Sequence, residues 1–298
     1  MVQRSPRAAS SGMSGREAHM SAGSLAEVKE FWEQASCGES LYLGGHDRRH
    51  YEHQARERYR LEPEILSFAE FERYRAKDVL EIGVGLGADH QRFAEAGANL
   101  CGIDLTEHGI EHVQRRLELF GLSSQLKTGN AEHLEFTDNS FDLVYSWGVL
   151  HVTPDTPRAI REVLRVLRPG GEARIMIYHK HSCVGYMLWL RYALARGRPW
   201  LSLAHIYARY LESPGTKAYT VDEARYLFDG FEIEDVFTEL THADLLTSDV
   251  GQRHRGRVLT IARRLWPRRL IQSRFSNHGL FLMVRARKPA PVQHPSAI

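Results

Sequence analysis

A glycine-rich turn near residue 80 is the part of the chain whose residue types and spacing could do chemistry. Val79, Leu80 and Ile82 suit a buried strand, and glycines then alternate from Gly83 to Gly87. Glycine lets the backbone turn sharply and approach a ligand without a Cβ in the way. The next residues predict a helix whose N-terminus faces the same crevice. A strand, a glycine turn and a helix form half of a nucleotide-binding βαβ unit.

The glycine spacing by itself leaves two kinds of nucleotide open. Gly83, Gly85 and Ala88 also satisfy the G-x-G-x-x-G/A pattern of dinucleotide sites, which would suit an NAD-dependent oxidoreductase. Asp104 ends a second apolar stretch, where a carboxylate can accept hydrogen bonds from both hydroxyls of a ribose. The dinucleotide interpretation is the weaker one, because the third glycine of the turn stands one residue early.

Taken in order, the motifs of this region resemble those of the class I S-adenosylmethionine-dependent methyltransferases. The resemblance is strong over about residues 75–180 and weak in the flanks. At Asn130 the chain departs from the commoner aspartate, but an amide can still accept a hydrogen bond from the adenine amino group. The segments that carry the resemblance are Glu81–Gly87, Asp104, Gly129-Asn130-Ala131-Glu132, Phe141–Val144 and the turn Arg168-Pro169-Gly170-Gly171.

The resemblance implies an α/β fold with a Rossmann-like, seven-stranded, mostly parallel sheet and helices on both faces. It implies S-adenosyl-L-methionine as cofactor and S-adenosyl-L-homocysteine as product. The glycine turn would contact the amino acid part of the cofactor, Asp104 its ribose and Asn130 its adenine. The implied cofactor-binding residues are Glu81, Gly83, Gly85, Gly87, Asp104, Leu105, Asn130, Ala131, Glu132, Ser146 and Trp147.

A neutral hydroxyl or amine acceptor must lose a proton during or after methyl transfer. His151, Tyr178 and His179 fall just past predicted strand ends, where a general base should lie, and they are the predicted catalytic residues. Each could instead hold a loop or pack in the core. His242 is a further candidate in the pocket. No cluster with metal-ligand spacing is visible, so no metal is predicted.

Around this core the chain divides into segments of different character. The last two strands are predicted to enclose a basic insertion at about residues 253–274. Residues 181–230 have helical spacing, lie after the fifth strand and would cover the active site. The predicted division is a disordered tail at 1–24, an N-terminal helical cap at 25–76, the cofactor-binding core at 77–180, the helical insertion at 181–230, the last two strands at 231–289 and a tail at 290–298.

Composition agrees with an enzyme of the cytoplasm. The 298 residues are 43% hydrophobic and 26% charged, which is ordinary for a soluble protein. The three cysteines are scattered, which argues against a disulfide framework or a zinc site and favours a reducing compartment. No apolar run is long enough to span a bilayer.

Charge is unevenly distributed, because residues 250–298 contain eleven Lys or Arg and no Asp or Glu. This segment could bind an acidic carrier protein or a membrane surface, or it could be a solvated basic face that pairs with the acidic remainder. A nucleic-acid partner is disfavoured, since no binding module is visible. The acceptor is predicted to be a small molecule methylated at O, N or C. A non-catalytic, cofactor-binding partner subunit stays open as the alternative, and the oligomeric state is not predicted.

Overall fold

One seven-stranded sheet organises the computed structural model, which describes residues 24–248 and 263–290. The strand order is β3-β2-β1-β4-β5-β7-β6; β7 is antiparallel to both neighbours, and the other pairs are parallel. The predicted fold class is therefore confirmed. The strands are β1 Asp78–Ile82, β2 Asn99–Asp104, β3 Gln125–Thr128, β4 Phe141–Trp147, β5 Leu167–Tyr178, β6 Glu232–Glu239 and β7 Phe281–Arg287.

Apolar side chains on both faces of the central strands explain why these strands lie in the middle of the sheet. Leu80 of β1 pairs in register with Cys101 of β2 and Val144 of β4. Leu80 and Val144 are fully buried, as expected for a parallel sheet that helices cover on both sides. The segment 168–171 is not a turn before the fifth strand, as predicted, but an irregularity within β5, where the pairing with β4 shifts register and Gly170 has a φ of +79°.

Helices cover both faces of the sheet. The glycine turn is followed by α5, and Gly97 ends that helix in the left-handed conformation that glycine favours. The helices are α1 Leu25–Glu33, α2 Glu39–Tyr42, α3 Arg48–Leu61, α4 Glu64–Ala69, α5 Ala88–Ala96, α6 Glu107–Phe120, α7 Thr156–Val166, α8 Cys183–Tyr192, α9 Leu203–Tyr210, α10 Val221–Leu227 and α11 Arg268–Arg274.

The N-terminal helices and the insertion after β5 share one hydrophobic core with the sheet. On one face, Phe68 of α4 and Tyr207 of α9 belong to the same buried cluster as Tyr145 of β4. On the other face, Ile160 of α7 packs with Val144. The cap and the insertion are thus fixed on the sheet by burial of apolar surface.

Parts of the predicted organisation lie outside the described residues. These are residues 1–23 of the N-terminal tail, residues 249–262, which include half of the basic segment, and residues 291–298. Within the described ranges, the structure contains no helix with the length and apolarity needed to cross a membrane.

Candidate active site

A cavity of about 350 Å³ lies where the parallel strands β1, β2, β4 and β5 end. Ile82, Asp104, Trp147 and Tyr178, each the last residue of one of these strands, line it. The carboxyl edge of a parallel sheet is where α/β proteins bind ligands, and this volume falls in the range of roughly 300–1,000 Å³ of small-molecule sites. Residues of α1 and α3, among them Trp32 and Arg58, line it as well.

The three glycines of the turn have positive φ values but different surroundings. The φ angles of Gly83, Gly85 and Gly87 are +83°, +49° and +73°. A Cβ on Gly83 would lie 2.1 Å from Val149 Cγ2, and one on Gly87 would lie 2.9 Å from Val113 Cγ2. A Cβ on Gly85 would meet nothing within 4 Å. Packing therefore requires glycine at 83 and 87, whereas Gly85 presents bare backbone to the open cavity.

Asp104 connects the second strand to this turn. Its Oδ2 accepts a hydrogen bond from the Gly85 backbone N–H at 3.0 Å, and its Oδ1 accepts from the Thr106 N–H at 3.0 Å and hydroxyl at 2.7 Å. A carboxylate has about four lone-pair positions, so Oδ2 retains acceptor capacity for a hydroxyl in the cavity. This geometry fits the ribose contact that the family resemblance implies.

Four more of the implied cofactor-binding residues divide into three that line the cavity and one that does not. Leu105, Asn130 and Ala131 line it. Asn130 Oδ1 accepts a hydrogen bond from the Glu132 N–H at 2.9 Å, which closes a local turn and holds the amide at the cavity edge. The side chain of Glu132 does not line the cavity, because its Oε1 accepts from the Asp155 N–H at 2.7 Å.

Of the two implied cofactor-binding residues of β4, Ser146 and Trp147, only Trp147 lines the cavity. Ser146 is fully buried, and its hydroxyl donates to the Ile82 carbonyl at 2.9 Å, which joins β4 to β1. Side chains alternate across a strand, so two consecutive residues of β4 cannot both face the crevice. The prediction of a cofactor contact for the Ser146 side chain is therefore not supported by its position.

Glu81 lines the cavity and is tied to the helix that follows the turn. Its Oε2 lies 2.8 Å from His90 Nδ1, and His90 Nε2 lies 2.7 Å from Ser124 Oγ. Burial raises the pKa of Glu81 and lowers the pKa of His90 to about 3. Both shifts favour the uncharged form of the group, and the contact between the two side chains fixes β1 against α5.

A buried carboxylate, Asp89, joins the cap to the turn. It lies in the first turn of α5 and accepts hydrogen bonds from Arg58 Nη2 at 2.7 Å, from the Tyr59 hydroxyl at 3.1 Å and from the Tyr145 hydroxyl at 3.0 Å. Burial alone would raise the pKa of Asp89, but Arg58 and the hydroxyl donors outweigh it and hold that pKa below its ordinary value. Sequence analysis missed this group, because no local pattern pairs Arg58 with Asp89.

Arg116 of α6 is a second buried connection between cap and turn. Its Nη1 donates to the Leu86 carbonyl within the glycine turn at 2.9 Å and to Gln54 Oε1 of α3 at 2.7 Å. Its Nε donates to Gln91 Oε1 of α5 at 2.6 Å. Burial lowers the pKa of Arg116 to about 10, so the guanidinium is still charged at neutral pH. Its hydrogen-bond partners here are a backbone carbonyl and two amide oxygens, so these contacts hold the turn without an ion pair.

Two titratable side chains meet in the cavity beside Trp147. His242 Nε2 lies 3.9 Å from Glu62 Oε1, and His242 Nδ1 lies 2.6 Å from Ser248 Oγ. Glu62 Oε2 accepts from Trp147 Nε1 at 3.1 Å. Burial raises the pKa of Glu62 and lowers the pKa of His242 to about 4, so the imidazole is neutral at physiological pH.

The three predicted catalytic residues are placed differently. Tyr178 lines the cavity, and its hydroxyl donates to Glu212 Oε2 at 2.8 Å; burial raises its pKa, so it stays protonated. His151 is fully buried against the Tyr178 ring, with 4.0 Å between ring centroids, and does not line the cavity. Neither of its ring nitrogens has a hydrogen-bond partner among the described residues. His179 is also absent from the cavity lining, and its Nδ1 lies 3.1 Å from the Gly279 carbonyl oxygen.

Comparison with known proteins identifies the core. Residues 80–175 match the family model described as a methyltransferase domain. The chain is 42% identical over 97 residues to a phthiotriol/phenolphthiotriol dimycocerosates methyltransferase of Mycobacterium leprae, covering 32% of this chain and 35% of that one. It is 32% identical over 124 residues to a phosphatidylethanolamine N-methyltransferase of Cereibacter sphaeroides, covering 41% of this chain and 60% of that one.

A solved structure shares the fold. A putative methyltransferase from Bacillus halodurans superposes with a TM-score of 0.52 at 18% identity, over 76% of this chain and all of the other.

The chain spans about a third of the length of the mycobacterial relative. Its core is a class I S-adenosylmethionine-dependent methyltransferase domain, which decides between the two nucleotides that the glycine spacing left open.

Proposed function

We propose that this protein transfers the methyl group of S-adenosylmethionine to a hydroxyl or amine of a small, largely apolar acceptor. The observation that carries the proposal is one continuous cavity with two different sides. Gly85 and Asp104 offer backbone and carboxylate to a nucleoside on one side. Glu62, which pairs with Arg58 at 3.3 Å, and His242 stand beside apolar side chains on the other. The bound cofactor supplies an activated methyl group.

The apolar character of the acceptor side favours a lipid-like acceptor. Aromatic and aliphatic residues from five separate segments enclose it: Phe31, Trp32, Leu41, Tyr42, Val184, Leu211, Leu280 and Phe281. Such a surface binds by removing apolar area from water and offers few groups to a highly charged molecule. The names of the two curated relatives specify a phospholipid and a dimycocerosate, which agrees with this choice.

His242 is the proposed general base. A neutral imidazole has a free acceptor nitrogen, and its Nε2 faces Glu62 across 3.9 Å. As the acceptor oxygen or nitrogen bonds to the methyl carbon and the carbon–sulfur bond breaks, the acceptor's proton passes to Nε2. The Glu62 carboxylate then stabilises the imidazolium. Tyr178 stays protonated and orients Glu212, and His151 and His179 have supporting roles in the core.

Labelled methyl transfer tests this function. The protein is incubated with methyl-labelled S-adenosylmethionine and three classes of acceptor: an aminophospholipid, a hydroxylated fatty ester and a quinol. We expect label in at least one acceptor, and a rate at least tenfold lower for His242→Asn with unchanged cofactor affinity. Because His242 is already neutral, its own titration should leave the rate with a hydroxyl acceptor unchanged between pH 6 and 8. Cofactor binding without label in any acceptor would instead support a non-catalytic subunit.

The described half of the basic segment supports a membrane surface as the place where such an acceptor is met. Leu265, Leu270 and Phe275 are exposed beside Arg264 and Arg269, a pairing of apolar and cationic groups that suits an anionic bilayer. Sedimentation with vesicles tests the proposal. The protein should bind phosphatidylglycerol vesicles and not phosphatidylcholine vesicles, and Leu265→Ser with Leu270→Ser should abolish binding. Equal binding by that double variant would contradict it.

A further inference from the structure

Three side chains with metal-ligand chemistry lie together outside the cavity. They are Glu39 of α2 and two histidines of α6, His108 and His112. His108 Nε2 lies 2.7 Å from Glu39 Oε2, and His112 Nε2 lies 3.2 Å from Glu39 Oε1. Two imidazoles thus converge on one carboxylate.

The backbone explains why these groups converge. Residues four apart on a helix lie one above the other on the same face, so His108 and His112 present their rings side by side, with 4.6 Å between centroids. The three ligand atoms all lie within 4.8 Å of one another. Zinc bonds to nitrogen and oxygen of about 2.0–2.2 Å place neighbouring tetrahedral ligands about 3.3 Å apart. Small side-chain movements would therefore admit an ion between them.

Neighbouring groups orient two of the three side chains. The other ring nitrogen of His112, Nδ1, lies 2.9 Å from the hydroxyl of Tyr51, which is fully buried. Metal-bound histidines usually engage their second nitrogen in this way, which fixes the tautomer and the plane of the ring. Glu39 Oε2 also accepts from the Ser36 N–H at 2.8 Å. The His112 side chain is only 6% exposed.

We propose that Glu39, His108 and His112 form a binding site for a divalent transition metal of the zinc class, with water completing the coordination. Imidazole nitrogen and carboxylate oxygen are ligands that zinc accepts, and two histidines with one carboxylate are a known zinc ligand set. A further imidazole, His46, has its ring centroid 5.4 Å from that of His112.

The position of the site gives the ion a structural consequence. Cys37, Gly38, Leu41 and Tyr42 flank Glu39 in sequence and line the cavity. A metal held by α2 and α6 would therefore fix this part of the cap over the cofactor. Binding of the metal and of S-adenosylmethionine should then be cooperative, because each fixes the same segment. The metal site itself does not depend on which acceptor is methylated.

Cobalt provides a probe whose signal does not depend on activity. Full-length, untagged protein is stripped with a chelator and titrated with Co²⁺. We expect visible d–d absorption that saturates at one ion per chain and disappears when Zn²⁺ is added. His108→Ala and Glu39→Gln should each weaken Zn²⁺ binding at least tenfold in calorimetry. Glu39→Gln keeps a side-chain oxygen for the Ser36 N–H, so it guards against loss of folding.

His53→Ala is the matched control, since His53 is an exposed histidine on α3. It should leave the Co²⁺ absorption and the Zn²⁺ affinity unchanged. The proposal is overturned if no absorption develops, or if Glu39→Gln and His108→Ala bind Zn²⁺ as tightly as the parent protein. In either case the three side chains are only a hydrogen-bonded contact between cap and core.

Discussion

The two sides of the cavity are built in different ways. The proposed nucleoside side is formed mainly by backbone, at strand ends and at glycines with positive φ. One carboxylate there, Asp104, is hydrogen-bonded to the turn. The acceptor side consists of side chains that arrive from α1, α3, α8 and the segment after β6. The first side is contiguous within about 50 residues, and the second spans more than 200. A local motif can encode the first, whereas only the tertiary fold assembles the second.

Buried polar contacts hold the two sides together. Asp89 and Arg116 both lie next to the glycine turn, and both bond to residues of α3. The cap is thus attached to the cofactor side by ionic and amide groups, and to the sheet by apolar packing. Changing one side or the contacts between them should therefore have separable effects.

The largest effect is expected from Asp89→Ala, which breaks the attachment of the cap. It leaves the Arg58 guanidinium without its closest carboxylate contact, and removing one partner of a buried ion pair costs about 3–5 kcal/mol. Urea unfolding measures the loss. Glu72→Ala is the control, since its exposed pair with Arg75 should contribute less than about 1 kcal/mol. A loss below 1 kcal/mol for Asp89→Ala would show that the cap is held by apolar packing alone.

The same residue predicts a pH dependence. Because the pKa of Asp89 is held below its ordinary value of about 3.9, its stabilisation is complete above that value. The stabilisation is lost as the pH falls through the lowered pKa. Asp89→Ala should therefore reduce the slope of unfolding free energy against pH between pH 5 and 3, measured by urea titration. An unchanged slope would contradict the ionised state of this carboxylate.

The next effect tests the nucleoside side. Asp104→Ala should weaken binding of S-adenosylmethionine at least tenfold, or by ~1.4 kcal/mol, in calorimetry. Asp104→Asn keeps an oxygen for the Gly85 N–H and should lose less. Both variants remove the carboxylate. Unchanged affinity for S-adenosylmethionine in both would therefore refute the ribose contact.

A pair of glycines sharpens the distinction between packing and ligand contact. Gly85 and Gly121 both have positive φ, and a Cβ on either would meet nothing within 4 Å. Alanine should therefore cost each about 1 kcal/mol of stability through backbone strain. Only Gly85→Ala should also weaken cofactor binding, by about fivefold, or ~1 kcal/mol. Equal cofactor affinity in the two variants would mean that the Gly85 backbone does not contact the ligand.

The smallest effect is expected from His151→Leu. Its ring nitrogens are buried without partners among the described residues, and burial lowers its pKa to about 3. Replacing an unsatisfied buried polar group by an apolar one of similar size is nearly neutral. The unfolding free energy should change by less than about 1 kcal/mol, and the methyl-transfer rate by less than twofold. Loss of the rate with retained stability would restore His151 as the base.

The success of sequence analysis follows the same division. The sheet and the glycine turn were predictable, because alternating glycines after an apolar strand have few structural interpretations. The position of Ser146 does not support its predicted cofactor contact, because strand pattern alone did not decide which of two neighbours faces the crevice. Asp89 and Arg116 were missed because their partners are 25 to 65 residues away in sequence, and no periodicity reports such contacts. The contact of Glu62 with His242, 180 residues away, was missed for the same reason. His242 was named, but nothing local indicated its partner.

The central claim is that S-adenosylmethionine lies across the carboxyl edge of the sheet, between Asp104 and the His242 side of the cavity. The structure of the protein crystallised with S-adenosylhomocysteine tests it most directly. We expect a ribose hydroxyl within hydrogen-bond distance of an Asp104 oxygen, and the sulfur on the side lined by Trp147 and His242. Density for the ligand elsewhere, or a ribose bound without Asp104, would contradict the account.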